Sequence, residues 1–463
     1  MAAIDPPVHE PSGLRRLRPD DHFMIAAETD ASPMHVGALL MLDVPADART
    51  SLLRRVRRQI GERLASTPLL CRLVEAPDGF DSPVWAELSA CDLEEQIVGA
   101  SIDAGPNALS NFIERCSMYR LNLANPPFKL FVIDQPGSPM AALYLKVHHA
   151  IADGIGFQTI LERLSDQSPA SQVRERDAHL PDPEQWRAWS EGRFAEAAPA
   201  RAAHRAARSA ARVELAALEA AGDRRPETPR LKLSGPTSSQ RQYANVSLPL
   251  ARVRVVAAAH QATVNDIFLA LASQAIRLHL LEIADLPDAP IVANSARSYR
   301  RPEHGQYENR IVALHPHLAT HVADPIARLR AIQREMSRER RRTEFDEALL
   351  DAPEEPNGPR DRIARFAQRI GTSGTLLPGN VTLSNVPGPE GVLSFAGHRL
   401  TGNFPVPILG SGRFLNITSR RNANRLDIGI MADAEKIADV RSIALALQEA
   451  LDHYEALAGL SHG

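Results

Sequence analysis

The stretch Leu143-Tyr144-Leu145-Lys146-Val147-His148-His149-Ala150-Ile151-Ala152-Asp153-Gly154 constrains the fold more than any other. An apolar run of strand length delivers two adjacent histidines. A tight charged turn at Asp153-Gly154 follows, and from Ile155 to Leu164 the apolar spacing is that of a helix. A buried strand that ends in a polar turn against a helix N-terminus is a building unit of α/β proteins. An imidazole titrates near neutrality, so His149 at such a strand end suits general-base work.

The same alternation runs along the chain. Met34–Val44, Lys129–Asp134 and Ala141–His148 read as strands, the last two joined by a turn at Gln135–Pro139. Ser51–Ala65 reads as a helix with Leu52, Leu53, Val56, Ile60 and Leu64 on one face, ended by Pro68. From Ser165 to Pro229 the chain turns rich in Ala, Arg, Glu and Pro, a linker with one or two helices of which Ala200–Ala221 is the clearest. The pattern resumes at Leu231. Ala251–His260, Thr263–Glu282 (capped by Thr263), Ile326–Thr343 and Val440–Leu457 read as helices, and Ile291–Ser295, Asn380–Ser384, Leu415–Ser419 and Leu426–Ala432 as strands. Leu426–Asp433 and the helix after it echo Leu143–Asp153 without the histidines, a hint of two similar halves around one catalytic centre.

At 463 residues the chain exceeds what one core supports, so the expected units are 1–164, a helical crossover 165–230, and 231–463. A net charge of −3 gives no footprint for nucleic acid. Cys71, Cys91 and Cys116 are too few and too widely spaced for a disulfide framework or a zinc site, which fits a cytoplasmic protein. Met1–Gly13 carries three prolines and no apolar run, unlike a signal peptide, and the apolar stretches are of strand length, so membrane contact is expected to be peripheral. His149 and Asp153 have no third ligand nearby, and no metal is expected. Arg201, Arg205, Arg208 and Arg212 share one helix face, which reads as solvated over packed Val213, Leu215 and Leu218, or else as a contact for anionic lipid. Arg334, Arg338, Arg340, Arg341 and Arg342 read the same way, with CoA phosphates as the alternative.

The pattern HHxxxDG over His148–Gly154 is the signature of CoA-dependent acyltransferases, the superfamily that includes chloramphenicol acetyltransferase and condensation domains. Further segments narrow this. Asp20-Asp21-His22-Phe23, Pro33-Met34-His35-Val36-Gly37, Thr263-Val264-Asn265-Asp266, Val292–Arg297, Glu308-Asn309-Arg310, Leu383–Pro389 and Leu415-Asn416-Ile417-Thr418 occur in family order. Together they make the chain resemble the bacterial wax ester synthase/diacylglycerol acyltransferases. Departures at Pro126-Pro127-Phe128-Lys129, Leu121-Asn122-Leu123 and Glu308 bear on substrate choice.

The resemblance implies two chloramphenicol-acetyltransferase-like α/β domains with an interdomain tunnel. It implies transfer of a long-chain acyl group from acyl-CoA, as substrate and with no cofactor, to diacylglycerol or a fatty alcohol. His149 of the His148-His149 pair would be the base, and Asp153, followed by Gly154, would pair with an arginine, expected at Arg297. Asn265, Asp266, Ser295 and Arg297 would bind or orient substrate, base or oxyanion, with a place in the first turn of a helix as the alternative for Asn265 and Asp266. A carrier-protein thioester as donor, a specialised acceptor, or a storage-lipid coat protein are the alternatives, with a membrane or lipid-droplet surface as the expected partner.

Overall fold

The computed structural model describes residues 11–135, 140–172, 175–220, 225, 227–350 and 378–460. The expectations for Met1 to Glu10 and for the turn at 136–139 fall outside them.

Two six-stranded sheets dominate. The first has the order β12-β13-β2-β7-β6-β5: β2 (His35–Asp43), β5 (Ile97–Ser101), β6 (Phe128–Asp134), β7 (Met140–His148), β12 (Ser394–Phe395) and β13 (His398–Val406). The second has the order β10-β9-β11-β14-β15-β8: β8 (Arg241–Pro249), β9 (Ala293–Ser298), β10 (Ile311–Leu314), β11 (Val381–Val386), β14 (Leu415–Asn422) and β15 (Arg425–Asp433). A small third sheet joins β1 (Leu14–Arg16), β4 (Val84–Glu87) and β3 (Cys71–Val74).

The helices are α1 (Pro19–Ala26), α2 (Leu52–Arg63), α3 (Leu93–Gln96), α4 (Ala108–Met118), α5 (Gly154–Leu164), α6 (Pro183–Glu196), α7 (Ala198–Ala220), α8 (Leu250–Ala259), α9 (Val264–Glu282), α10 (Pro325–Leu350) and α11 (Val440–Leu457). Each strand of the first sheet turns one set of alternate residues into a core. Leu143, Leu145 and Val147 of β7 meet Leu52, Val56 and Ile60 of α2 and Phe157, Ile160 and Leu161 of α5. In the second half, Ile267, Leu271 and Ile276 of α9 and Ile443, Leu447 and Leu451 of α11 cover Ile417, Ile428 and Ile430. No single helix among the described residues is long and apolar enough to cross a membrane.

Three expectations are corrected. The 231–463 unit is not self-contained, because β12 and β13 leave it and extend the first sheet along β2, Leu400 opposite Leu42 and Val406 opposite Gly37. An edge strand's free hydrogen-bonding groups accept any strand that reaches them, and that pairing leaves no local pattern in sequence. The crossover is less detached than its composition suggests. Trp186 and Trp189 of α6 are buried with Leu14 and Val84 in a core of their own, although Val213 of α7 is 68% exposed rather than packed. Of the second basic cluster, Arg342 is buried between Glu339 (2.6 Å) and Glu335 (3.7 Å), so it belongs to an internal ion network rather than a solvated face.

Candidate active site

β7 ends at His148 and α5 begins at Gly154, and the turn between them is held from several directions. The His148 amide donates to the Pro127 carbonyl (3.0 Å) and the His149 amide to the Met34 carbonyl (2.8 Å). The Asn309 side chain donates to the His149 carbonyl (2.9 Å) and to Asp21 (2.6 Å). Asp153 is the N-cap of α5 and accepts from the Gly156 amide at 2.8 Å, as a carboxylate at a helix start should. The backbone of the motif is therefore fixed before any substrate arrives.

The Asp153 carboxylate is turned to the second half. Arg300 Nη2 reaches both its oxygens at 2.8 Å, and the Arg310 amide donates to Oδ2 at 3.2 Å. Arg300 is fixed in turn by the carbonyls of Gly305 (2.8 Å) and Glu308 (2.6 Å). This corrects the expected pairing with Arg297, whose guanidinium lies on β9 and reaches Thr343 of α10 at 3.1 Å. β9 ends at Ser298, and the turn beyond it swings Arg300, not Arg297, towards α5.

His148 and His149 face different surroundings. His148 is fully buried, and its Nδ1 accepts from the Ala150 amide at 3.1 Å. The proton therefore sits on Nε2, which points at Glu28 Oε1 3.8 Å away. His35 shares that oxygen at 3.1 Å, and Arg120 holds the other at 2.9 Å. Burial alone would raise Glu28, but His35, His148 and Arg120 hold it down to about 2. Burial pushes His148 down to about 3 despite the nearby Glu28. Glu28, His35 and His148 could together ligate an ion by spacing. Arg120 already pairs with Glu28, while His148 Nε2 is buried with no hydrogen-bond partner. Beneath them, Lys146 of β7 caps the C-terminal end of α4 through the Cys116 carbonyl (2.9 Å) and the Tyr119 carbonyl, and burial lowers it to about 7.

His149 lines a cavity of about 300 Å³ where the two large sheets meet. Its Nδ1 is enclosed by protein, which leaves Nε2 for the cavity. Burial lowers its pKa below the ordinary 6.5, opposed by its own carbonyl, Asp153 and Asn309, so the imidazole is neutral at physiological pH. One wall is apolar, with Phe23, Met24, Met34 and Ile408; the other, on β11 and β14, carries Thr382, Ser384, Asn416 and Thr418.

Among the expected residues, Asp153, Gly154 and Ser295 line this cavity with His149. Asn265 and Asp266 do not: Asn265 accepts from Asn385 at 3.3 Å, and Asp266 forms a capping box with Thr263 in the first turn of α9. Phe128, at one departure from the family pattern, is core and not cavity wall. Sequence reasoning assigned no role to Arg300, Asn309, Asp21 or Glu28. Asn309, Asp21 and His35 stand in segments that carried the resemblance, a signal that could have found them, whereas Arg300 had none.

Comparison with known proteins agrees with this layout. The model for the wax ester synthase/diacylglycerol acyltransferase catalytic domain matches residues 17–268, and that for the C-terminal domain of the same family matches 307–455. A probable diacylglycerol O-acyltransferase of Mycobacterium tuberculosis is 26% identical over 454 residues, covering 96% of this chain and 99% of its own length. A Mycobacterium bovis protein named provisionally for the same activity is 28% identical over 452 residues, covering 89% of this chain and 85% of its own. The solved wax ester synthase/diacylglycerol acyltransferase of Marinobacter aquaeolei VT8 superposes with a TM-score of 0.69 at 23% identity, covering 96% of this chain and all (100%) of that one. The first condensation domain of the calcium-dependent antibiotic synthetase superposes at 0.57 with 16% identity, covering 97% of each chain.

Proposed function

The chain belongs to the wax ester synthase/diacylglycerol acyltransferase family, and on that premise we propose that it moves a long-chain acyl group from acyl-CoA to the hydroxyl of diacylglycerol or of a fatty alcohol, making triacylglycerol or wax ester. The observation that carries this is His149 on the wall of a largely apolar cavity, with Nδ1 enclosed by protein and burial lowering its pKa. Nε2 takes the hydroxyl proton as the alcohol oxygen bonds to the thioester carbonyl carbon. The tetrahedral intermediate then expels the thiolate, and His149 returns the proton to sulfur, so no acyl-enzyme is needed. Ser295 is the hydroxyl we assign to the developing oxyanion, and Asp153 acts through its clamp on Arg300, outside the chemistry. Donor and acceptor enter from opposite ends, which makes the cavity a tunnel. Water-insoluble acceptors go with peripheral contact at a membrane or lipid droplet, for which α7 offers the exposed Arg205, Arg208 and Arg212.

The test is transfer from palmitoyl-CoA to dipalmitoylglycerol and to hexadecanol, following free CoA and neutral lipid. His149→Ala should lower turnover about 10²–10⁴-fold, the worth of positioned proton transfer. An unchanged rate in that variant would refute His149 as the base.

A further inference from the structure

The wall of the cavity carries more charge than a neutral lipid can use. Along β14 alternate residues face the cavity: Asn416, Thr418 and then Arg420. Arg420 is 3% exposed. Its Nη1 donates to Asn403 at 3.1 Å, its guanidinium stands 5.2 Å from the Phe157 ring centre, and its Nε is buried with no hydrogen-bond partner. Asp427, opposite Arg420 on β15, is its counter-charge, but its oxygens accept from the Asn403 amide (2.8 Å), Asn422 (2.8 Å) and Ser247 (2.6 Å) and make no hydrogen bond to the guanidinium. Arg413, also on the cavity wall, is 5% exposed. It donates to the Pro378 carbonyl at 2.7 Å, and its Nε is likewise unpartnered. Asp153 is the sole carboxylate on the described cavity wall, and Arg300 already holds it.

Strand register fixes where these cations lie. Val386 is opposite Arg420, and a Cβ placed on Gly154 would lie 3.0 Å from Val386. Ile311 is opposite Ser298 at the same end of the sheet, and Asn309, two residues earlier, holds the His149 carbonyl. Arg420 therefore sits at the level of His149. Arg413 precedes β14 and lies beyond the opposite end of that strand. The phosphates of CoA are a full pantetheine arm from the reacting carbon, too far to answer Arg420. Diacylglycerol and a plain fatty alcohol have no charge to offer the free N–H groups of either guanidinium, and Arg413 pairs with no carboxylate among the described residues, which is costly for a buried cation.

We propose that Arg420 and Arg413 make this a cavity for an anionic lipid alcohol, an acceptor that carries a carboxylate or a phosphate besides its hydroxyl. The inference rests on the acyl-transfer reading and adds a charged class of acceptor to the neutral ones named there. The hydroxyl reaches His149 while the anionic oxygens take the free N–H groups of a guanidinium, a charge-assisted contact that also fixes orientation.

The test compares each anionic acceptor with its neutral twin, using palmitoyl-CoA: 3-hydroxyhexadecanoate and 16-hydroxyhexadecanoate against their methyl esters for the carboxylate, and 1-palmitoylglycerol 3-phosphate against 1-palmitoylglycerol for the phosphate. At least one anion should lead its twin about tenfold or more in kcat/KM, the size of one charge-assisted hydrogen bond. The lead should collapse in Arg420→Met or Arg413→Met and persist in the matching lysine variant. Equal or better use of the neutral twins overturns the proposal while leaving acyl transfer standing. An arginine effect that appears with every acceptor, and vanishes when the donor is the palmitoyl thioester of N-acetylcysteamine, assigns the cations to CoA and also overturns it. Should neither dipalmitoylglycerol nor any other alcohol be acylated, the acyl-transfer reading itself fails. Displacement of a fluorescent fatty acid then decides the binding claim: palmitate must outcompete hexadecanol in the wild type and not in the methionine variants.

Discussion

His149 is positioned through its backbone. Its amide is spent on Met34 and its carbonyl on Asn309, and Asn309 is itself anchored on Asp21. Asn309 touches no reacting atom, so it is a positioning residue. Asn309→Leu keeps the volume but strands the His149 carbonyl and the Oδ1 of buried Asp21, whose Oδ2 keeps the Arg18 amide. We expect a loss of about 1–3 kcal/mol in stability, typical of buried groups left unpaired, with a fall in kcat and little change in KM; a thermal melt and steady-state kinetics check both. Without Asn309, Asp21, already raised to about 6 by burial, should rise further. The pH dependence follows from directions already fixed. The base form of His149 is neutral and its pKa lies below 6.5, so kcat/KM should stay flat as pH falls to 6.5 and drop only beneath it. An acid limb at or above 6.5 would contradict the desolvated site. Stability runs the same way. For His148, lowered to about 3, the unfolded chain binds the proton first, so its contribution is full above 6.5 and is lost as pH falls towards 3. Glu28, lowered to about 2, continues the loss below 4.5. Asp21 works against both, its contribution lost as pH rises from 3.8 through 6. The melting temperature should therefore fall from pH 7 to pH 5, and a rise on acidification would sink the assignment. At this scale the sequence carried the chemistry but not the partners. His149 and Asp153 stand in one short motif, whereas Arg297, Arg300, Arg301 and Arg310 lie within one loop-bearing stretch, where only the turn after Ser298 decides which guanidinium reaches Asp153.

At the scale of elements, the site depends on how closely α5 approaches the second half. Its first turn is held by the Asp153 cap, and Gly156 lets the Tyr307 backbone lie against it: a Cβ there would meet Ala152 Cβ at 2.9 Å and Tyr307 Cα at 3.1 Å. Gly156→Ala should therefore cost about 1–3 kcal/mol by overpacking, despite alanine's better helix propensity. It should also lower turnover, because the loop it displaces carries Arg300, Asn309 and Arg310. A melting temperature at or above that of the wild type would show the approach to be looser than this. Elements with strong periodicity were legible: α9, α11 and β7 lie within about two residues of their expected bounds, the usual fraying of ends. β13 was not, since His398–Val406 holds Gly402, Asn403 and Pro405 and reads locally as a loop. It is a strand because β2 offers an unpaired edge, and that edge is far away in sequence.

For the whole molecule, that exchanged strand decides how the two halves behave. β13 pairs with β2 in the first sheet, while Tyr243 of β8 donates to the Pro405 carbonyl at 3.0 Å and Gly429 of β15 lies so close that a Cβ would strike Pro405. The Asp153–Arg300 and Asp21–Asn309 contacts and the bond from Tyr307 to the Ser66 carbonyl (3.0 Å) add further ties. The catalytic cavity lies within this shared zone, so neither half holds a complete site. Two expected domains should therefore unfold as one. Trp85, Trp186 and Trp189 are the three tryptophans of the chain, and all precede residue 231. Their fluorescence reports the first half, while far-UV circular dichroism reports both. Urea transitions followed by the two probes should coincide. A fragment ending at residue 230 lacks β12 and β13 and leaves the β2 edge bare, so it should aggregate rather than fold as a soluble monomer. Separate transitions, or a monomeric fragment with native fluorescence, would mean that the exchanged strand decorates two independent domains. Coincidence would mean that the strand, the clamp and the cavity form one cooperative unit, in which a substitution at Arg300 or Asn309 reaches the active site and the stability of both halves together.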